Sequence, residues 1–120
     1  MKHLFVPYEI ALQLKEKGFD ESCVAFYEES GNLSIGFNWL NGGGKNSNLE
    51  SCTAPLYQQV IDWFREEHDF FIFIDTTHNF DSYTGTMCTK ENNSLFQRTV
   101  ERKNYYEALN DIIKKALKLI

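Results

Sequence analysis

Four groups of residues have the types and spacing that chemistry uses. The first is Gly42-Gly43-Gly44-Lys45. Free backbone N–H groups in a glycine run, followed by a lysine, can cradle an anion. A phosphate-binding P-loop, however, needs G-x-x-x-x-G-K-[ST] running straight into a helix. Here Asn46 follows the lysine and the next helical pattern waits until Pro55. The second group is His68-Asp69 with Asp75-x-x-His78-x-x-Asp81. Imidazoles and carboxylates serve as metal ligands and acid–base partners. The same residues bend the backbone in turns, and no HExxH pair accompanies them. The third is Cys52 and Cys88 as nucleophiles. No G-x-S-x-G or cysteine signature supports them, and a lone cysteine on a strand packs as a small apolar residue. The fourth is aromatic: ten Phe, six Tyr and two Trp, more ring area than a small core needs. Such a surplus marks interfaces. Trp39 beside the glycine run, Trp63 just off a helical stripe, and the pair Tyr105-Tyr106 cannot all be buried.

Charge narrows the partners. The chain has 120 residues and a net charge of −5. Residues 1–60 carry −3, residues 61–95 carry −5 and residues 96–120 carry +3. An acidic chain repels phosphate backbones, so nucleic acid is not an expected partner. The basic C-terminal stretch can make a local anion-attracting patch, but lysines near a helix C-terminus are also simply favoured by the helix dipole. The longest apolar run, 70–74, is far short of the roughly 18 residues of a membrane span, so no membrane association is expected. The start of the chain has no signal-peptide pattern. With three cysteines and no CxxC, reduced thiols and a cytoplasmic location are expected.

The positioning elements follow from periodicity. A first helix starts near Pro7 with Ile10, Ala11 and Leu14 as its apolar stripe. Its end is marked by Gly18, which places Leu14 and Phe19 at the two positions that touch in a Schellman motif. Residues 23–28 and 33–40 read as a hairpin with one wet face. Residues 41–52 have no pattern, and loops of that length are functional or disordered. Tyr57, Val60, Ile61 and Phe64 mark a second helix that fails near His68-Asp69. Residues 70–75 read as a central strand, apolar on both faces. Residues 83–90 read as a weaker strand, and residues 95–102 follow a turn. Asn104 with Glu107 opens a last helix as a capping box, with Leu109, Ile112, Ile113, Ala116 and Ile120 as its buried stripe and Lys114, Lys115 and Lys118 in water. A helix and hairpin after Pro7 and again after Pro55 make a faint internal echo.

Three phrases carry a resemblance: FVPYEIALQLKEKGFDE, APLYQQVIDWFREEHD and YYEALNDIIKKALKLI. They resemble a family of small proteins without an assigned activity found in Bacteroidetes genomes and their phages. Each phrase is a helix with its cap, so no catalytic residue carries over. The resemblance implies a cytoplasmic accessory protein carried by a phage or other mobile element and acting on host processes.

The expected fold is α+β in a single domain, 1–120: an antiparallel sheet of about five strands with two or three helices on one face, in the order (β)-α-β-β-α-β-β-β-α. The expected core includes Ile10, Leu14, Val24, Phe26, Ile35, Phe37, Val60, Ile61, Phe64, Ile72, Ile74, Leu109, Ile112 and Ile113. The expected function is non-enzymatic binding of a protein partner, with capture of a small anionic, nucleotide-like ligand as the alternative. A small hydrolase using Asp75, His78 or Cys88 ranks third. The binding surface is assigned to Trp39, Gly42, Gly43, Gly44, Lys45 and His78. No catalytic residue, metal or cofactor is assigned. An unpaired sheet edge makes a homo-oligomer a further expectation.

Overall fold

In a computed structural model the chain is described for residues 2–36, 44–76, 79–89 and 97–120. It forms two compact units, 1–60 and 61–120. The fold is α+β, with three α-helices and two three-stranded antiparallel sheets among the described residues. The expected single sheet is therefore two sheets.

In the first unit, α1 spans Tyr8–Glu16 and buries Ile10, Ala11 and Leu14. Pro7 caps it in an extended conformation, and the Pro7 carbonyl accepts from Ala11 N at 3.0 Å. The end follows the sequence closely. Gly18 has φ +93°, Phe19 N donates to the Leu14 carbonyl at 2.9 Å, and Gly18 N donates to the Lys15 carbonyl at 3.2 Å. Those two bonds define a Schellman motif, and Leu14 and Phe19 are both buried.

Strands β1 (Ala25–Tyr27), β2 (Leu33–Ile35) and β3 (Cys52–Thr53) make the first sheet, ordered β2-β1-β3. Tyr27 faces Leu33 on one side and Cys52 on the other. The inward face of β1 is the reverse of the expected one. Cys23, Ala25 and Tyr27 are buried while Val24 is 51% exposed. The Tyr27 hydroxyl donates to the Val6 carbonyl, and its ring packs 5.2 Å from that of Tyr8. A large ring with a satisfied hydroxyl sets the face, and Cys23 and Ala25 follow it by period two. Ile35, at the end of outer strand β2, is 45% exposed rather than core. Phe37 lies outside the described residues.

Of the expected loop 41–52, residues 44–52 are described, and they form an irregular connection held by specific hydrogen bonds. A short 3-10 turn at Asn46–Asn48 leads to β3. Buried Asn46 acts as a clasp: Nδ2 donates to the Phe19 carbonyl at 2.7 Å and Oδ1 accepts from Thr53 N at 2.9 Å. The Lys15 ammonium donates to the carbonyls of Leu49, Glu50 and Ser51. One polar side chain thus joins the end of α1 to β3, and one cation gathers three carbonyls. At the start of the chain, the strand considered there is a 3-10 turn, Lys2–Leu4, and only Phe5 makes a bridge, to Leu56.

Helix α2 spans Tyr57–His68 and ends at Asp69, whose φ is +56°. Trp63 is among the buried rings, at 5% exposed, and its ring lies 5.0 Å from Phe64 and 4.8 Å from His68, while Tyr105 is 42% exposed. Strands β4 (Phe70–Thr76), β5 (Tyr83–Thr89) and β6 (Gln97–Arg98) form the second sheet in that order. The third strand adds to the second strand of the hairpin here, but to the first in the other unit, so the two sheets differ in topology.

Strand β4 is an edge and β5 is central, the reverse of the expectation. Hydrophobicity marked β4, but closeness to α3 (Tyr105–Lys118) decides the centre. A Cβ on Gly85 of β5 would stand 2.7 Å from Ile112 Cβ and 2.8 Å from the Ala108 carbonyl oxygen. Only glycine fits beneath that helix. Helix α3 is capped as its sequence indicates, with Asn104 Oδ1 accepting from Tyr106 N and Glu107 N at 2.8 and 3.2 Å. It buries Leu109, Ile112, Ile113 and Ala116, joined by Ala108 and Leu117. The other face of the sheet leaves Phe71 36% and Phe73 42% exposed. No helix among the described residues is long and apolar enough to cross a membrane.

Candidate functional site

The second unit contains a groove of about 570 Å³ between α3 and the segment 98–102. Its shape originates in a β-bulge. Thr86 faces Arg98, but Tyr83 bridges to Arg102, so the segment holds one residue more than β5 over the same length. Thr99 absorbs the irregularity. Its N–H donates to the Gly85 carbonyl at 2.9 Å, while its hydroxyl oxygen accepts from Gly85 N at 2.9 Å. The hydroxyl takes the role that a carbonyl has in a regular ladder, and a bulge re-aims the side chains that follow it.

Arg102 is thereby placed against α3. Its Nε donates to Asp111 Oδ2 at 2.7 Å and its Nη2 donates to Asp111 Oδ1 at 3.3 Å. The hydrogen bonds from Arg102 to Asp111, and the carboxylate charge, raise the Arg102 pKa further and hold the guanidinium charged. Lys115 Nζ donates to the Arg98 carbonyl at 3.2 Å. Lys114, Lys115 and Lys118 come from the helix and Arg102 from the strand side, Arg98 contributes to the wall but shares the sheet face of Thr86, away from α3, and Asp111 is the single carboxylate among the described lining residues. Arg98 also approaches Asp75 at 3.8 Å across the sheet, in a solvent-exposed pair. Such a pair contributes little energy. The groove is strongly cationic within a chain of net charge −5. It can hold an anion by charge and by lysine and arginine N–H donors.

The residues singled out by sequence lie elsewhere. Trp39, Gly42, Gly43 and His78 are outside the described residues. Gly44 is described, and its N–H is engaged: it donates to the Cys23 carbonyl at 2.9 Å, and Cys23 N donates back at the same distance. Lys45 is exposed next to Asp20. Asp75 accepts from Thr86 Oγ1 at 3.0 Å and belongs to the sheet-face network with Arg98. His68 sits in the ring cluster with Trp63 and Phe70. Among the described residues, no three or more His, Cys, Asp or Glu come together as a metal site needs. Charge segregation was the one sequence signal for the groove. The placement of Arg102 beside the α3 lysines depends on the bulge, which no local pattern announces.

The thiols differ in environment. Burial pushes the Cys23 thiol up to about 11 and raises that of Cys52, whereas Cys88 is half-exposed. A thiol held protonated is a poor nucleophile. Alkylation of native protein at pH 8 is therefore expected to label Cys88 first, with Cys23 and Cys52 protected until unfolding, as read by mass spectrometry of peptides. The raised Cys23 pKa also couples to stability. The folded state keeps a proton that the unfolded chain releases above its ordinary value of 9.0. Stability from this group is complete below that value and falls as pH rises toward 11. Urea unfolding at pH 8 and pH 10 should show the loss, and Cys23→Ala should diminish it.

No family model matches the chain, and no curated protein or solved structure matches it either.

Proposed function

We propose that this is a non-enzymatic binding protein that captures a small, phosphate-bearing anion in the groove between segment 98–102 and α3. The observation that carries the reading is four cations from two elements, Lys114, Lys115 and Lys118 of α3 and Arg102 of the strand side, lining one concavity of a net-acidic chain. A cationic cleft in an acidic molecule concentrates field and raises the local concentration of anions. The groove volume of about 570 Å³ suits a small molecule. Asp111 is tied to Arg102, and the Thr99 hydroxyl is tied to Gly85. These two wall groups are thus held in place by the protein itself. Carriage by a phage or mobile element, implied by the resemblance of the helices, belongs to the same proposal.

Inorganic pyrophosphate is the direct probe, by calorimetric titration and thermal shift. Saturable heat with a raised melting temperature is expected, because a ligand that binds only the folded state stabilises it. The affinity should fall with added salt, since the cations are solvent-exposed. No heat and no shift at millimolar pyrophosphate removes the reading.

The edge of β4 favours a second reading, pairing with another copy of this chain. All seven residues of β4 pair with β5, and among the described residues no strand pairs with its far side. The strand FFIFIDT has no lysine or proline, the usual edge protection. Antiparallel pairing about Ile72 would set Phe71 opposite the second copy's Phe73 and Phe70 opposite its Ile74, giving aromatic cross-strand contacts. Light scattering should then report a dimer whose fraction rises with concentration and which Phe73→Lys makes monomeric while retaining its fold. A monomer at every concentration refutes the pairing.

A further inference from the structure

We infer that Asp111 is an internal competitor for the groove's anion: its carboxylate holds the Arg102 fork that an entering oxyanion would take, and binding exchanges the one for the other. This rests on the anion-capture reading above and adds how the site is regulated.

A guanidinium grips a carboxylate or a phosphate through two parallel N–H bonds. Arg102 spends its fork on the protein's own carboxylate. Its Nε and Nη2 donate to the two oxygens of Asp111 at 2.7 and 3.3 Å. Two oxygens of a phosphoryl group would take the same places. Both residues line the groove, and their side chains are 44% and 22% exposed, so a ligand in the groove reaches the pair.

Neither element needs this pair to stay in place. Helix α3 is seated by the buried Leu109, Ile112, Ile113 and Ala116. The Arg102 backbone is fixed by its exchange of hydrogen bonds with Tyr83 at 2.7 and 2.8 Å. An ion pair this open to solvent contributes little to stability. Its consequence lies in the groove instead. Asp111 precedes Lys114, Lys115 and Lys118 by three, four and seven residues, so all four share one face of the helix. The carboxylate is thus set where an anion would meet the lysines. Tethered there, it has an effective concentration that a free ligand must overcome. An oxyanion with several charged oxygens gains what Asp111 lacks, because it can occupy the fork and reach lysines at once.

The test is Asp111→Asn in the full chain, titrated with inorganic pyrophosphate by calorimetry. The substitution keeps the side chain's shape and removes its charge. Asp111 and the lysines share one helix, so removing the charge with α3 in place isolates the competition. Binding is expected to tighten about tenfold, the effect of roughly one unit charge at close range. Glu107→Gln is the control. Glu107 stands one helical turn earlier and acts on Arg102 through its charge. Its replacement changes the field without freeing the fork, so affinity should stay within about twofold. A second readout needs no substitution: the Arg102 Nε–H resonance should move as pyrophosphate saturates the unaltered protein, reporting the change of partner. Unchanged or weaker binding by folded Asp111→Asn shows that Asp111 merely positions Arg102 and overturns the inference. Equal tightening in Glu107→Gln, or an Arg102 signal that stays still at saturation, overturns it too. Each of these leaves anion capture standing. Binding by neither the unaltered protein nor Asp111→Asn removes both.

Discussion

Lys114→Glu combined with Lys118→Glu is expected to weaken pyrophosphate binding by about a hundredfold while leaving the fold intact. Both lysines line the groove. Two unit charges about 4 Å apart interact by about 1 kcal/mol in water and about 4 kcal/mol near a protein surface. The groove is open, so the lower figure is the better guide for each unit of charge. Reversing two lysines replaces two attractions with two repulsions, an effect of roughly 3–4 kcal/mol before salt screening. Each 1.4 kcal/mol is about tenfold in affinity. Screening brings the expectation to about a hundredfold, and more at low salt. Lys45→Glu is the informative comparison, because Lys45 ends the glycine run that sequence alone favours for anion capture. Its affinity should stay within about twofold of the unaltered protein. If instead Lys45→Glu loses binding and the double variant keeps it, the anion site is at the glycine run and the groove assignment is wrong.

Gly85→Ala should be the most damaging single methyl addition in the second unit. The new Cβ would meet Ile112 Cβ at 2.7 Å, the Ala108 carbonyl oxygen at 2.8 Å and Ile112 Cγ2 at 2.9 Å. Two of these three atoms cannot move away by side-chain rotation. Helix α3 must lift from β5, and overpacking of this kind costs about 1–3 kcal/mol, occasionally more. For a chain this long, a loss of about 3 kcal/mol lowers the melting temperature by roughly 10 °C. Ile112→Ala in the same molecule should not restore it, because the Cβ and the Ala108 carbonyl remain. The lifted helix also pulls Asp111 away from Arg102 and widens the groove, so pyrophosphate affinity should fall with stability. A Gly85→Ala protein with unchanged melting would show that α3 does not lie this close to the sheet.

These two substitutions probe different scales of the same arrangement. The lysines act through a field that any helix with this spacing would create. Gly85 acts through a contact that depends on which strand lies under the helix. The Thr99 hydroxyl joins the two, since it pairs with Gly85 N and opens the bulge that delivers Arg102 to Asp111. A side chain on the groove wall is thus placed by a hydrogen bond to the glycine that the helix covers.

What could be read along the chain was what depends on a few consecutive residues. Pro7, Gly18 and the Leu14–Phe19 pair determined where α1 starts and how it stops, because a Schellman motif is closed by hydrogen bonds within one turn. Asn104 determined the start of α3 in the same way, by bonding to N–H groups two and three residues away. The apolar stripes of all three helices and the extended segments at β1, β2, β4 and β5 were legible for the same reason. Tertiary structure decided the rest. Residues 23–28 are apolar on both phases of the period, so the Tyr27 hydroxyl bond to Val6, far away in sequence, chose the buried face. Residues 70–75 are the most hydrophobic strand, yet centrality went to β5, because Gly85 lets a helix approach where a larger side chain would not. Asn46, within a stretch that reads as loop, became a clasp once Phe19 and Thr53 came within hydrogen-bond reach. The groove itself was visible only as a basic stretch. Its two cationic walls meet because one extra residue in a strand turns Arg102 toward α3, and such a register shift is determined by pairing between distant segments, which local sequence does not encode.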